Sequence, residues 1–412
     1  MVKVCDAIMG TGKSQSAITY MNEHKDGKFI YITPYLDEAS RIKRGCPDLR
    51  FVEPSDRVPE FGFKKSGHTA ALIKAGRNIT TTHQAFKNYT TEMVEDIKNF
   101  GYTLIIDESV DVLETFDFHA DDLQMAVNAG YVSEVDGIYK INNLSYKGRA
   151  MHEMFRLMKT REIVRIDEDA SSLFYWALPP SLFTAFKDVF ILTYLFKGQS
   201  LHHFLEIYNI PYKYIGIEKT DSGTGFRFSD YPGYTPEYVS SLKNMVHIVD
   251  GRVNDIGEDY YALSMNWYDR NKQGVEKLKK NLYNTVCNLW RDIPAAKKLW
   301  STYNSTQNEM KGKGYSKSFI TFNARATNDY KDRICLAYLV NVFMNVNEKK
   351  FYQKRGVEVD EDLYALSAMI QCIWRMAIRT GDEIYLYIPS SRMRALLTNW
   401  IDSVSKGGNL VA

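Results

Sequence analysis

The sequence predicts an α/β protein with two lobes, each built around a parallel sheet. Short runs of β-branched and aromatic residues alternate with helical patterns in both halves of the chain, and this alternation is typical of parallel sheets. Residues 216–237 interrupt it with closely spaced Gly and Pro, which favour a linker. A chain of 412 residues is also long enough for two or three domains. We therefore predict a first lobe at 1–215, a linker at 216–237 and a second lobe at 238–412.

The local patterns place the elements of both lobes in order. In the first lobe, strands are predicted at 2–8, 29–33, 78–82, 103–107 and 189–193, with helices at 14–24 and 36–44. Residues 113–180 break the alternation and are rich in helical patterns, so we predict a helical insertion there. In the second lobe, strands are predicted at 245–249, 261–264, 319–323, 334–339 and 383–388, and helices at 275–290 and 363–380.

The composition is that of an ordinary globular protein, with 45% hydrophobic and 25% charged residues. The net charge of +2 neither requires nor excludes a nucleic-acid partner. Five scattered cysteines without a C-x-x-C pair argue against a disulfide framework and a thiolate zinc site. No run approaches the roughly 18 apolar residues of a membrane span, and Asp6 comes too early for a signal peptide. We therefore expect a cytoplasmic protein.

The strongest motif is Ala7-Ile8-Met9-Gly10-Thr11-Gly12-Lys13-Ser14, between a predicted strand and a predicted helix. Glycines at this place let the backbone curl so that successive N–H groups face phosphates. Lys13 would add a positive charge there, and the Ser14 hydroxyl would bind Mg²⁺. The candidate ATP-binding residues are Gly10, Thr11, Gly12, Lys13 and Ser14. The alternative is a glycine-containing turn with a surface lysine.

A second motif is the apolar run 103–106, which ends in Asp107 and Glu108. In a parallel sheet, both carboxylates would emerge at the carboxyl edge, beside the phosphate loop. Asp107 would hold Mg²⁺ together with Ser14, and Glu108 would orient and deprotonate the attacking water. The alternative is that the two acids cap the segment that follows.

A third group of polar residues, Gln371, Arg375 and Arg379, recurs at intervals of four near the end of the chain. On a helix this spacing forms one polar stripe, since each step drifts by only about 40°. A glutamine and two arginines that point together would suit a γ-phosphate. The alternative is an amphipathic helix with a solvated arginine face.

These three motifs resemble those of the superfamily 2 helicases. The A-x-x-G-x-G-K-S loop, the D-E-x-x box at Asp107 and the Q-x-x-x-R start of motif six occur in the family's order. There is also a general likeness to bacteriophage and herpes-type origin-binding helicases, which would place the protein in a host cytoplasm. The resemblance implies two RecA-like lobes with ATP and Mg²⁺ in the cleft between them. Arg379 departs from the family spacing, because it lies four residues after Arg375 rather than three.

The resemblance also implies residues that contact a nucleic-acid backbone. Hydroxyls and helix N-termini are suitable phosphate ligands that carry no sequence information. The matching positions are Thr33, Pro34, Thr81, Thr82, His83, Thr327 and Asn328. The alternative for the threonines is that they end strands and cap the next helix.

Residues 271–317 carry ten Lys or Arg against three Asp or Glu. Basic residues interleaved with aromatic ones suit single strands, and the aromatic residues here are Trp290, Trp300, Tyr303 and Tyr315. A solvated pair of amphipathic helices is the alternative.

The sequence thus predicts an ATP-dependent translocase or helicase, a monomer that moves along DNA in viral DNA replication. RNA is the alternative strand. Two other classes stay open: a nucleic-acid-stimulated ATPase that switches or remodels without unwinding, and a packaging-type motor that works as a ring of subunits.

Overall fold

The computed structural model describes residues 1–34, 36–116, 118–142, 146, 148–149, 151–166, 174–323 and 330–407. Two compact units divide the chain. The first contains Met1–Ala7, Gly12–Tyr234 and Asn345–Val359, and the second contains Ile8–Thr11, Thr235–Met344 and the chain from Asp360 onward. No helix in the described part of the chain is long and apolar enough to cross a membrane.

The first unit begins with alternating strands and helices. In order they are β1 (Val2–Asp6), α1 (Lys13–Glu23), β2 (Phe29–Thr33), α2 (Leu36–Gly45), α3 (Lys65–Lys74), β3 (Ile79–Thr82), α4 (His83–Phe86), α5 (Thr91–Phe100) and β4 (Thr103–Asp107). All five residues of β2 and the first four of β4 are buried, as expected for strands covered on both faces.

The insertion that the sequence predicts as helical contains a sheet of its own. Its elements are β5 (Leu113–Thr115), α6 (Ala120–Asn128), β6 (Val132–Val135), β7 (Ile138–Ile141), α7 (His152–Met158), β8 (Glu162–Arg165) and β9 (Phe174–Ala177). The five strands are antiparallel in the order β5-β9-β8-β7-β6, so a purely helical insertion is wrong. Aromatic and branched side chains of the short strands, such as Ile163 and Trp176, pack with α6 and α7 in one core.

The chain then returns to the main sheet of the first unit through α8 (Ser181–Thr184), β10 (Asp188–Thr193), α9 (Ser200–Ile207), β11 (Tyr212–Lys219) and β12 (Phe226–Ser229). This sheet has seven strands in the order β12-β11-β1-β10-β4-β2-β3. All neighbours are parallel except β12, which runs antiparallel to β11. The α/β class predicted from the sequence is confirmed.

The linker predicted at 216–237 is partly regular structure, because the end of β11 and all of β12 lie within it. The glycines there serve close backbone contacts. A Cβ at Gly216 would lie 2.6 Å from the carbonyl oxygen of Asp230, and one at Gly233 would lie 2.4 Å from the amide nitrogen of Ile217. Glycine thus marks tight packing at this edge rather than a flexible connection.

The second unit contains a four-stranded parallel sheet in the order β13-β16-β15-β14. The elements of this part of the chain are α10 (Leu242–Met245), β13 (Val246–Ile248), α11 (Met265–Arg270), α12 (Lys272–Tyr283), β14 (Lys298–Ser301), α13 (Gln307–Met310), β15 (Cys335–Tyr338), α14 (Val346–Lys354), α15 (Glu361–Ile373), β16 (Ile384–Tyr387) and α16 (Ser391–Ser405). All of them belong to the second unit except α14, which belongs to the first. The predicted strand at 261–264 is a turn, and the strand predicted at 319–323 pairs only as an isolated bridge between Phe319 and Trp300.

Helix α14 belongs to the first unit although its neighbours in sequence belong to the second. The Ser200 hydroxyl donates to Oε1 of Glu348 over 2.5 Å, and the rings of His203 and Tyr352 lie 5.0 Å apart. The guanidinium of Arg355 donates to the carbonyl of Arg165 over 3.0 Å. One helix from the carboxyl-terminal half therefore completes the first unit.

Candidate phosphate-binding site

The segment between β1 and α1 has the backbone shape that the loop motif requires. Gly10 and Gly12 have φ angles of 86° and 93°, in the left-handed region that favours glycine. A Cβ at Gly12 would lie 2.4 Å from the ring of Phe226. Any other residue at Gly12 would therefore be strained twice, by its backbone angle and by this ring.

Lys13 is the first residue of α1, and its ammonium group donates to the carbonyl oxygen of Ala7. The side chain thus folds back across the loop. Burial lowers the pKa of Lys13, and the acidic groups Asp107 and Glu108 work against this shift. A partly desolvated cation at a helix N-terminus favours a bound anion.

Asp107 ends β4 beside this loop. Its Oδ2 accepts a hydrogen bond from the Tyr31 hydroxyl over 2.9 Å and one from the Ser14 hydroxyl over 3.3 Å. Burial raises the pKa of Asp107 to about 7, and the nearby Glu38 adds to the rise, while the hydrogen bond from Tyr31 opposes it. The structure therefore brings the two predicted Mg²⁺ ligands, Ser14 and Asp107, together.

These two oxygen ligands fit Mg²⁺, which usually takes one or two protein ligands and completes its shell with water and substrate phosphates. Among the described residues, no group of three or more His, Cys, Asp or Glu is placed to hold a metal ion. The local chemistry therefore suits a metal that arrives with a phosphate ligand rather than one held by a closed protein cage.

The backbone after Asp107 turns sharply. Glu108 has a φ angle of 61°, which is uncommon for a residue other than glycine, and its amide donates to the carbonyl of Leu192 over 3.0 Å. His83 Nε2 donates to the carbonyl oxygen of Asp107 over 2.9 Å. Strained residues of this kind cluster at functional sites, and here the turn sets the direction of the Glu108 side chain.

Asp6 and Tyr31 are site residues that sequence reasoning missed. The carboxylate of Asp6 accepts from the amides of Leu195 and Phe196 over 2.8 and 2.9 Å. Burial raises the pKa of Asp6, and these two hydrogen bonds oppose the rise. Asp6 therefore fixes the loop after β10 next to the end of β1. An acidic residue at the end of an apolar strand was the available signal for Asp6, whereas nothing local distinguishes Tyr31.

The predicted backbone-contacting residues of the first unit divide into two groups. Thr33 and Thr81 are fully buried and His83 is 8% exposed, so these three side chains are not accessible to a strand in this structure. The two threonines lie in β2 and β3, and His83 begins α4. Thr82 is partly exposed and its hydroxyl caps α4 by accepting from the amide of Ala85 over 3.3 Å, as the capping alternative predicts. Pro34 is also partly exposed.

The polar stripe predicted from Gln371, Arg375 and Arg379 is wrong as a helical feature, because α15 ends at Ile373. Gln371 lies on α15 and donates to the Ser367 hydroxyl over 3.3 Å. Arg375 follows the helix and is only 7% exposed, whereas Arg379 lies in a short 3₁₀ turn and is exposed. Of the three side chains, Arg379 is exposed, Gln371 is partly exposed and Arg375 is buried.

Within the second unit, Arg379 lies next to loop residues 8–11. A Cβ at Gly10 would lie 3.6 Å from Cγ of Arg379. The Tyr238 hydroxyl donates to the carbonyl of Met9 over 3.2 Å, and Trp374 Nε1 donates to the Tyr238 oxygen over 3.3 Å. These contacts join the segment around Arg379 to the first half of the phosphate loop.

The aromatic residues predicted to stack on a single strand are core residues instead. Exposed fractions range from 0 to 8% for Trp290, Trp300, Tyr303 and Tyr315. Their large apolar area explains why the hydrophobic core takes them up. The predicted residues Thr327 and Asn328 lie outside the residues that the structure describes.

The raised pKa of Asp107 predicts a pH-dependent stability. An unfolded aspartate titrates near 4, so between about pH 4 and 7 the folded protein binds more protons than the unfolded chain. The contribution of this group to the free energy of unfolding therefore falls as the pH rises through that range. Between pH 5 and pH 8, we expect the free energy of unfolding of Asp107→Asn to rise by about 2 kcal/mol relative to that of the unsubstituted protein. This value allows for the partial exposure of the carboxyl group.

Urea unfolding of both proteins at the two pH values measures this difference. The exposed Asp26 provides the control, because Asp26→Asn should leave the pH dependence unchanged. If the free energy of unfolding changes with pH in the same way in the unsubstituted protein and in Asp107→Asn, the burial of this carboxyl is contradicted.

Comparison with known proteins finds a family model that matches part of the chain and a relative that matches nearly all of it. A family model described as the YonV C-terminal Rossmann-like domain matches residues 240–401. A Bacillus subtilis (strain 168) protein, described as the SPbeta prophage-derived uncharacterized protein YonV, is 36% identical over 412 residues. The match covers 98% of this chain and 99% of that protein.

Solved structures show a weaker likeness. An apo XPD structure is 11% identical with a TM-score of 0.44, and covers 97% of this chain and 95% of its own. Xpd4 of S. tokodaii is 10% identical with a TM-score of 0.40, covering 99% and 94%. A hypothetical ATP-dependent RNA helicase from Sulfolobus tokodaii is 10% identical with a TM-score of 0.26, covering 98% and 90%.

Proposed function

The chain belongs to the YonV family, and we propose that it is an ATP-dependent translocase that moves along DNA and separates its strands. The observation that carries the proposal is the group formed by Lys13, Ser14, Asp107 and Tyr31 at the end of a left-handed glycine loop. A lysine, a hydroxyl and a carboxylate in this arrangement match the parts that bind a nucleoside triphosphate and its metal in phosphate-loop enzymes.

ATP binding follows from the loop. The amides of residues 10–14 and the N-terminus of α1 would hold the β- and γ-phosphates. Lys13 would exchange its contact with the Ala7 carbonyl for the phosphates. When bound, Mg²⁺ neutralises charge on the phosphate oxygens, and Ser14 and Asp107 are the residues that would hold it.

Hydrolysis needs a water molecule placed in line with the γ-phosphate. Glu108 is our candidate for orienting and deprotonating this water, because it directly follows Asp107 at the end of β4, in the turn where the backbone leaves the sheet. Tyr31 and His83 are positioning residues, since they hold the carboxylate and the carbonyl of Asp107.

Charge develops on the phosphate oxygens in the transition state, and a positive group placed there accelerates the reaction. Arg379 is a better candidate than Arg375 for placing this positive charge, because Arg379 is exposed and lies beside Gly10. Arg375 is buried, and we assign it a structural role. Gln371 stays a candidate for the γ-phosphate, while Pro34, Thr82, Thr327 and Asn328 stay candidates for contacts to a strand.

An ATPase assay tests the proposal. We expect Mg²⁺-dependent hydrolysis that increases when single-stranded DNA is added, and displacement of a labelled strand from a forked duplex. Duplex DNA and RNA are compared at equal nucleotide concentration, and Lys13→Ala serves as the inactive control. Stimulated hydrolysis without strand displacement would favour the ATPase switch, and activity only in a ring-sized oligomer would favour a packaging-type motor. No hydrolysis with any nucleic acid would contradict all three.

A further inference from the structure

A cavity of about 520 Å³ lies within the second unit, apart from the residues assigned to ATP. Its charged and aromatic lining consists of Lys298, Tyr315, Lys317, Phe319, Tyr330 and Arg333. Lys298 is the first residue of β14, and Arg333 comes shortly before β15, its parallel neighbour. The cavity therefore opens at the amino edge of this strand pair. Its volume falls within the usual range for small-molecule sites, roughly 300 to 1,000 Å³.

Lys298 is the unusual member of this lining, because it is only 7% exposed. Its ammonium group donates to the carbonyl of Val286 over 2.9 Å. Among the described residues, no ion pair involves that ammonium group, and the nearby carboxylate of Asp332 pairs instead with Lys297 and Arg333. A buried cation without an opposite charge is costly. A bound anion in the cavity would supply an opposite charge for Lys298.

The carbonyl that Lys298 reaches belongs to a short π-helix, Asn284–Leu289, at the end of α12. Such π-helical turns are rare and occur frequently at functional sites. The lining residues Tyr315 and Phe319 are also held in place, since Trp300 Nε1 donates to the carbonyl of Tyr315 over 2.8 Å and the backbone of Trp300 pairs with that of Phe319. Hydrogen bonds therefore fix three of the lining residues, Lys298, Tyr315 and Phe319.

The other charged groups of the lining are also cations. Arg333 has a side chain 25% exposed, and its guanidinium lies 3.6 Å from Oδ2 of Asp332. The ammonium group of Lys297 lies 3.9 Å from the same carboxylate, so Asp332 offsets one of these charges at most. Lys317 is exposed at the rim. Phe319 and Tyr330 are half-buried and add aromatic surface to a positively charged cavity.

We propose that this cavity binds the phosphate group of a nucleotide, with Lys298 and Arg333 on the phosphate and Phe319 and Tyr330 against the sugar or base. Both arginine and lysine are suited to phosphate oxygens, and aromatic rings stack on any nucleobase. The ligand is either a free mononucleotide or the terminal nucleotide of a strand. The site does not depend on the ATP-binding loop, so it stands or falls separately from the proposed function.

Calorimetric titration with AMP tests the site in a Lys13→Ala background, which removes the lysine of the ATP loop. We expect AMP to bind and adenosine, which lacks the phosphate, to bind at least tenfold more weakly. Adding Lys298→Met should weaken AMP binding by roughly tenfold or more, because the buried charge is lost while the apolar stem is kept. Lys277→Met, at an exposed lysine on α12, is the matched control and should bind AMP normally.

Arg333→Gln provides a second variant in case Lys298→Met fails to fold, as judged by circular dichroism. It should also weaken AMP binding. A 5′-phosphorylated oligonucleotide that binds more tightly than AMP and requires Lys298 identifies the end of a strand as the ligand; tighter binding of AMP identifies a free nucleotide. Equal binding of AMP and adenosine, or AMP binding that neither variant changes, would overturn the proposal.

Discussion

Lys13→Ala is expected to lower the turnover of ATP by on the order of a thousandfold while leaving the fold intact. The ammonium group of Lys13 donates to the carbonyl of Ala7, and that carbonyl can be hydrated in the variant. The substitution therefore removes the charge that would meet the γ-phosphate. Steady-state hydrolysis in the presence of single-stranded DNA measures the effect, and circular dichroism checks the fold.

Lys25 provides a matched lysine-to-alanine control. Its ammonium group is exposed and lies 2.6 Å from Oδ2 of Asp48, a surface pair that contributes little to stability. Lys25→Ala should hydrolyse ATP at the unsubstituted rate. A folded Lys13→Ala protein with normal turnover would show that the loop does not bind the reacting phosphates.

The glycine loop and Asp107 were predictable, because each lies in a motif formed by residues that are neighbours in sequence. The glycine loop needs left-handed backbone at Gly10 and Gly12, and only glycine adopts this readily, so the motif records the geometry directly. Asp107 was predictable because a buried parallel strand delivers its last residue to the carboxyl edge of the sheet. Tyr31 was not predictable, because its hydrogen bond to Asp107 depends on β2 and β4 being neighbours in the sheet.

The fold was least predictable where one residue type serves two purposes. Closely spaced glycine and proline at 216–237 predict a linker, yet Gly216 and Gly233 allow two backbone segments to touch. Tryptophan and tyrosine among the basic residues of 271–317 predict stacking on a single strand, yet Trp290, Trp300, Tyr303 and Tyr315 are buried in the core of the second unit. Sequence spacing alone does not distinguish a buried aromatic residue from an exposed one, because both uses favour a large flat side chain.

Arg375 and Arg379 show that residue spacing also fails to predict a shared helix face where the helix ends early. A spacing of four between Arg375 and Arg379 predicts a shared face only while the helix continues, and α15 ends before either residue. The structure separates them into a buried and an exposed residue. Their expected roles therefore differ, and two substitutions distinguish them.

Arg379→Ala is expected to lower kcat by about a thousandfold and to change ATP affinity much less, since a charge on the transferring phosphate acts mainly in the transition state. Arg375→Ala is expected to lower the free energy of unfolding by about 1 to 3 kcal/mol, because it removes a buried side chain. Arg291, with a side chain 76% exposed, is the control, and Arg291→Ala should change neither quantity. Single-turnover hydrolysis, nucleotide titration and urea unfolding separate the three outcomes. Near-normal turnover by a folded Arg379→Ala protein, in a chain that Lys13→Ala inactivates, would exclude Arg379 from the transition state and leave the contact with Gly10 a structural one.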